Sequence, residues 1–126
     1  MQSELMGKGL CTVDYYMKAI DYMRKHINNP HFYVFTDNPC WVKDNLPEFE
    51  YILVDWNEVS GKRNFRDMQL MSCAKHNIIG NSTYSWWAAW LNANQDKIVV
   101  GPKRFFNPIN SFFSTCDIMC EDWISL

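Results

Sequence analysis

Nowhere in this sequence does an apolar run approach the roughly 20 residues that span a bilayer. The best candidate, Ile78 to Leu91, is broken by Asn81, Ser82 and Thr83. A membrane-spanning helix is therefore not expected. The opening MQSELMGKGL has no apolar core of the kind a secretory leader needs. Positive charge is not in surplus: 12 Lys and Arg stand against 14 Asp and Glu, for a net charge of −2. Such a balance gives no long-range attraction to nucleic acid or to an anionic membrane. Histidine is scarce, with only His26, His31 and His76. Only His76, three residues after Cys73, is near a cysteine, and no second such pair completes a ligand set, so a zinc site is not expected. The five cysteines (Cys11, Cys40, Cys73, Cys116, Cys120) are odd in number and scattered. They read as reduced thiols in a cytoplasmic protein rather than as a disulfide framework. No internal repeat or low-complexity run is present.

What remains is a chain of 126 residues, 48% hydrophobic and 16% aromatic. That is enough for one compact domain with a real core and too little for two. Thr12 reads as an N-cap, and behind it Val13, Tyr16, Met17, Ile20, Met23 and Ile27 share one helical face. Asn28-Asn29-Pro30 ends that helix. HFYVF (31–35) reads as a buried strand, and a short helix over 39–46 carries Pro39 in its first turn. YILVD (51–55) is a second strand. A polar loop with Gly61 leads to a helix from about Asn64 to Ala74, with Phe65, Met68, Met71 and Ala74 on one face. HNIIGN (76–81) holds a very short third strand, a helix runs from about Tyr84 to Asn92, and KIVVG (97–101) is a fourth strand stopped by Pro102. The order α-β-α-β-α-β-α-β implies an α/β fold: a Rossmann-like parallel sheet with helices on both faces. Such sheets bind ligands just beyond the carboxyl ends of their strands.

Two polar groups fall at those strand ends, each just before a helix: Thr36-Asp37-Asn38 and Asn81-Ser82-Thr83. The second opens GNSTYSWWAAWLN (80–92), where Ser82, Thr83 and Ser85 crowd into four positions. One hydroxyl there would read as a helix cap. Three hydroxyls and an asparagine at a strand-to-helix turn favour an anion site, because free N–H groups and the helix dipole attract phosphate. The helix behind them is apolar all round, which predicts burial on most sides. Trp86, Trp87 and Trp90 read either as rings that stack on a sugar or base or, for at least two of them, as core or inter-domain packing. Ala88 and Ala89 predict close approach of another element.

These residues also carry a resemblance. DMQLMSCAKHNIIGNSTYSWWAAWLN (67–92) followed by KIVVGPKRFF (97–106) resembles the C-terminal signature of the bacterial α-1,2-fucosyltransferases, glycosyltransferase family 11. CTVDYYMKAI (11–20), FYVFTDNPCWVKDN (32–45) and the closing EDWISL match further segments in the same order, so the resemblance runs from about residue 9 to 126. It implies the C-terminal, donor-nucleotide-binding lobe of a two-lobed GT-B type enzyme. The implied reaction transfers L-fucose from GDP-fucose to a galactoside hydroxyl, with inversion and without a metal. Consistently, no Asp-x-Asp motif is present.

The resemblance also implies roles for particular residues. Asp67 would hold guanine, since a carboxylate can accept from guanine N1–H and N2–H₂ together. Ser82, Thr83, Ser85 and Asn81 would lie near the pyrophosphate. Thr36 and Asp37 would line the donor cleft, although the family's usual Ser-Asp-Asp reads Thr36-Asp37-Asn38 here. Without the resemblance, Asp67 reads as an ordinary acid at a helix start. The family's His-x-Arg-Arg-Gly-Asp phosphate motif, and the N-terminal acceptor lobe that precedes it, are not among these residues. An N-terminal lobe is therefore an expected partner, alongside GDP-fucose and a galactoside-containing acceptor glycan. Peripheral membrane association through lipid-linked acceptors is a further expectation. A non-catalytic nucleotide-sugar module and a carbohydrate-binding protein built on the tryptophans are the alternative readings.

Overall fold

The structure is a computed structural model and describes residues 11–57, 61, 62, 64–103 and 119–126. Cys116 lies outside them. Among the described residues, four helices alternate with strands as the sequence order predicts: α1 (Val13–His26), β1 (Phe32–Phe35), α2 (Pro39–Asn45), β2 (Tyr51–Val54), α3 (Arg66–Cys73), β3 (Asn77–Ile78), α4 (Thr83–Leu91) and β4 (Val99–Gly101). A fifth strand, β5 (Ile124–Ser125), follows; its two residues are too few to show a period. All strand pairs are parallel.

The single sheet expected from the order is instead two hydrogen-bonded sheets, β1-β2 and β3-β4-β5. Strands this short supply few ladder bonds, and the register Phe32↔Tyr51 through Phe35↔Val54 is confined to its own pair. Nor is β1 a buried strand. Tyr33 is exposed, and Ile52, its register partner on β2, is exposed beside it. Their pleat therefore shows one apolar face to solvent.

The three-stranded sheet is covered on both faces, and the alternation of side chains shows how. Ile78 and its partner Val100 point toward α1, where they join Cys11, Tyr15, Ala19 and Met23. Ile79 and Val99 point the other way and pack on Ala89 of α4, with Trp86 and Trp123 at the margin. Ala88 and Ala89 are fully buried, the close approach their size predicts. The buried stripe of α1 is Tyr15, Ala19, Ile20 and Met23. It is rotated from the expected face, because Val13 and Met17 are only half-buried while the tyrosine ring reaches the sheet. Tyr15 Oη donates to the Ile79 carbonyl (2.6 Å) and lies 3.3 Å from that of Val100, so one side chain ties α1 to two strands. Burial pushes its phenol pKa far up, and the nearby Cys11 and Tyr16 add to the rise.

Helix ends follow their local chemistry. Thr12 caps α1 by accepting from the Tyr15 amide, and Asn38 caps α2 by accepting from Trp41. After α1, Asn29 turns the chain through a left-handed conformation (φ 51°) that asparagine tolerates. At the end of α4, Lys97 Nζ donates to the Ala89 and Asn92 carbonyls, a cation on the negative end of the helix. No helix among the described residues is long and apolar enough to cross a membrane.

Candidate functional site

The turn after β3 is where the hydroxyls lie, and the structure shows how they are used. Ser82 is the N-cap of α4: its Oγ accepts from the Ser85 amide at 3.2 Å. Ser85 is buried, and its hydroxyl lies 3.0 Å from Ser82 Oγ, 3.1 Å from the Ser82 carbonyl and 3.3 Å from the Gly80 carbonyl. These two hydroxyls therefore fasten the turn to itself. Asn81 is fully buried, and its amide donates to Cys11 Sγ (3.2 Å). Gly80 passes so close to α1 that a β-carbon would sit 3.0 Å from Tyr16 Oη. Burial pushes up the Cys11 thiol and the Tyr16 phenol, so both are neutral packing groups against this turn.

Thr83 is different. It is exposed at the first position of α4 and uses its hydroxyl for none of these bonds. Once Ser82 has satisfied Ser85 and the Ser82 carbonyl has taken the Trp86 amide, the N–H groups of Thr83 and Tyr84 have no acceptor among the described residues. An anion at this helix start would meet those two N–H groups and the Thr83 hydroxyl.

Asp67 occupies the second position of α3 and is buried, an unusual state for a carboxylate. The Asn57 side-chain amide donates to its Oδ1 at 2.9 Å. The preceding residue, Phe65, supplies no side-chain cap to α3. The cap comes from another helix: Tyr84 Oη accepts from the Met68 amide (2.9 Å) and donates to the Asn64 carbonyl (2.6 Å). Desolvation raises the Tyr84 phenol pKa, and the charge of Asp67 adds to the rise. The starts of α3 and α4 thus converge on one tyrosine, with the Asp67 carboxylate near its hydroxyl end and, at its backbone end, the amides of α4 that have no acceptor among the described residues.

Thr36 and Asp37 stand at the end of β1, in the other sheet. Thr36 Oγ1 accepts from the Asn38 amide (3.0 Å), a local turn bond, and Asp37 is exposed. The helix behind the hydroxyl turn is not enclosed. Trp87, Trp90 and Leu91 are 48%, 54% and 57% exposed, because α4 meets the sheet on one side and α3 on another and leaves the third open. Trp86 is half-buried, stacked on Trp90 (5.5 Å, 8°) and near Trp123 (5.8 Å). Packing into the core thus holds for Trp86 and fails for Trp87 and Trp90.

A groove of about 720 Å³ lies at the opposite ends of α3 and α4, lined by residues 72–76, 92–94 and Asp96. Helix carbonyl ends face it, which disfavours a phosphate there. Asparagine bonds tie its walls together: Asn92 to the Ala74 carbonyl and to Asn77, Asn77 to the Met71 carbonyl, and Asn94 to the Lys75 carbonyl.

Sequence reading had not singled out Asn57, Asn64 or Tyr84 for this site. The available signal was weak: Asn64 could have capped a helix starting at Phe65, but α3 starts one residue later behind Phe65, which has no capping side chain, so the cap comes from elsewhere.

Comparison with known proteins agrees with the resemblance read from residues 67–92. The sequence profile of Glycosyl transferase family 11 matches residues 3–126. An Escherichia coli O-antigen biosynthesis glycosyltransferase, WbnK, is 40% identical over 121 residues, covering 94% of this chain and 37% of that protein. An α-1,2-colitosyltransferase of Escherichia coli is 38% identical over 120 residues, covering 94% of this chain and 40% of that protein. The chain thus spans about two fifths of the length of these curated relatives. No solved structure matches it.

Proposed function

Because this chain belongs to glycosyl transferase family 11, we propose that its converging helix starts form the donor-nucleotide half of a sugar-transfer site. The donor would be GDP-fucose or, since one relative is an α-1,2-colitosyltransferase, a GDP-linked colitose, and the acceptor a galactoside hydroxyl. The observation that carries this reading is the buried Asp67 carboxylate at the start of α3, joined through the Tyr84 hydroxyl to the start of α4, whose Thr83 and Tyr84 amides have no acceptor among the described residues. Guanine presents two adjacent N–H donors that one carboxylate can accept together, and each oxygen has two lone pairs, so the Asn57 bond need not be broken. The diphosphate would lie on the Thr83 and Tyr84 amides with the Thr83 hydroxyl, while Ser82, Ser85 and Asn81 hold the turn in shape. Thr36 and Asp37 would border the same cleft from β1.

In the reaction, an acceptor oxygen attacks the anomeric carbon from the face opposite the phosphate. The bond from that carbon to the phosphate oxygen breaks, and GDP leaves with the electron pair. The amides stabilise the charge that develops on the diphosphate, as an oxyanion hole does, so the proposal is metal-independent. The proton of the acceptor hydroxyl goes to a general base outside the residues assigned here.

The test is calorimetric titration of the chain with GDP and with ADP. GDP should bind, and Asp67→Asn should weaken it by about tenfold or more, since a charge-assisted bond contributes roughly 1.5–3 kcal/mol. ADP binding should barely change. Equal losses for the two nucleotides would assign Asp67 to folding alone. The isolated chain should transfer no fucose to lactose, and linking it to an acceptor lobe with the arginine motif should produce transfer. Robust turnover by the 126 residues alone would refute the half-site reading. The exposed faces of Trp87 and Trp90 favour a second reading, a carbohydrate-binding surface. Saccharide binding that persists without any GDP binding would select it.

A further inference from the structure

We infer that Tyr84 is a positioning residue for base selectivity: it holds the start of α3, and with it Asp67, at a fixed place relative to the phosphate-facing start of α4. The inference rests on the donor-site reading above and adds a residue to it. Tyr84 belongs to α4 by sequence, yet both hydrogen bonds of its hydroxyl go to the backbone around the start of α3, accepting from Met68 and donating to Asn64. Those two residues flank Asp67 on either side. A helix start normally takes its cap from its own N-cap residue, and Phe65 gives none. The short Tyr84–Asn64 bond (2.6 Å) also fixes the loop that delivers α3, and the ring belongs to the first turn of α4, where Thr83 and Tyr84 offer their amides. One phenol therefore sets the spacing between the group proposed to read the base and the groups proposed to meet the diphosphate. Asn57 sets the rotation of the carboxylate itself. A nucleotide must satisfy both ends at once, so an error in that spacing costs most for the base that Asp67 recognises and little for one it does not.

The experiment compares GDP and ADP dissociation constants, with thermal midpoints, for wild type, Tyr84→Phe, Asp67→Asn and the double variant. Tyr84→Phe keeps the ring and removes both bonds. The expected result is a roughly tenfold rise in the GDP constant with ADP nearly unchanged, and no additional loss when Tyr84→Phe is added to Asp67→Asn. A lowered midpoint with the GDP-to-ADP ratio unchanged would overturn the positioning role and leave Tyr84 a simple cap. Additive losses in the double variant would do the same. A wild type that does not distinguish GDP from ADP, or an Asp67→Asn variant that distinguishes them as before, would instead overturn the donor reading and this inference with it. A measurement on the unmodified chain covers the case in which Tyr84→Phe does not fold. Amide exchange at Met68 should slow when GDP is added and not when ADP is added, and identical exchange with both would refute the inference.

Discussion

Ser82 and Thr83 are adjacent hydroxyls with opposite expected behaviour. Ser82→Ala removes the cap bond to the Ser85 amide. Ser85 keeps its contacts with the Gly80 and Ser82 carbonyls, so no buried hydroxyl is orphaned. The loss is then that of an ordinary cap, about 1 kcal/mol, rather than the larger cost of an unsatisfied buried group. For a chain of this size that corresponds to a fall in thermal midpoint of roughly 3–5 °C. GDP affinity should follow only weakly, since Ser82 Oγ is already committed within the turn. Thr83→Ala should do the reverse. The residue is exposed and bonds nothing in the turn, so the midpoint should move by about 1 °C or less. GDP affinity should fall several-fold through loss of a phosphate-facing hydroxyl. Differential scanning fluorimetry and GDP titration on the same preparations separate the two. If Ser82→Ala cost affinity without stability, or Thr83→Ala the converse, the division of the turn into a fastened half and a ligand-facing half would be refuted.

Two further predictions concern the scaffold. Tyr15→Phe should destabilise the chain by about 1–3 kcal/mol, because the Ile79 carbonyl loses its phenol donor while that of Val100 keeps the Ile79 amide; a midpoint within 1 °C of wild type, roughly what 0.3 kcal/mol would give, would refute that tie. His76 accepts the Ile98 amide through Nδ1 (2.9 Å), and desolvation together with Lys75 holds its pKa below the ordinary value of 6.5. The unfolded chain therefore takes the proton first. Stability from this group is complete above about pH 6.5 and is lost as pH falls through the lower folded value. The thermal midpoint of wild type should fall more steeply below about pH 6.5 than that of His76→Asn, and parallel curves would refute the assignment.

The alternating order of elements was legible because Pro39, Asn28-Asn29-Pro30 and Pro102 punctuate the chain and the helices carry caps that read locally. Thr12 and Asn38 do what their positions suggest. The split into two sheets was not legible, since it depends on which short strands pair, and nothing in FYVF or YILV names a partner. Strand β5 was recognisable only as part of a family-like ending. Hydrophobicity overstated the burial of β1 and α4: an apolar side chain shows what could be covered, not whether anything in these residues covers it. At the site, position along the chain placed Asp67, Ser82, Thr83 and Ser85 at helix starts. The service of Tyr84 to a different helix arises from packing across 16 to 20 residues and leaves no local pattern, while the division of labour among the hydroxyls is local but depends on which of them the turn faces inward.

The bonds of Tyr15 join residues 64 and 85 positions apart, and this has a consequence for the order of assembly. The apolar stripe of α1 is made well before the strand it covers, β4. At roughly 5–20 residues per second of synthesis, Tyr15, Ala19 and Met23 wait on the order of 4–17 s for Val100. During that interval the helix can meet Phe32 of β1 but not the three-stranded sheet that covers most of its stripe, and β3 has no neighbour until β4 arrives and β5 follows. A parallel arrangement allows no hairpin to form early as a template. The nascent chain thus presents a tyrosine-rich helix face to whatever is at the ribosome exit, and its yield in a cell will depend on holdase capacity as much as on the stability of the finished fold.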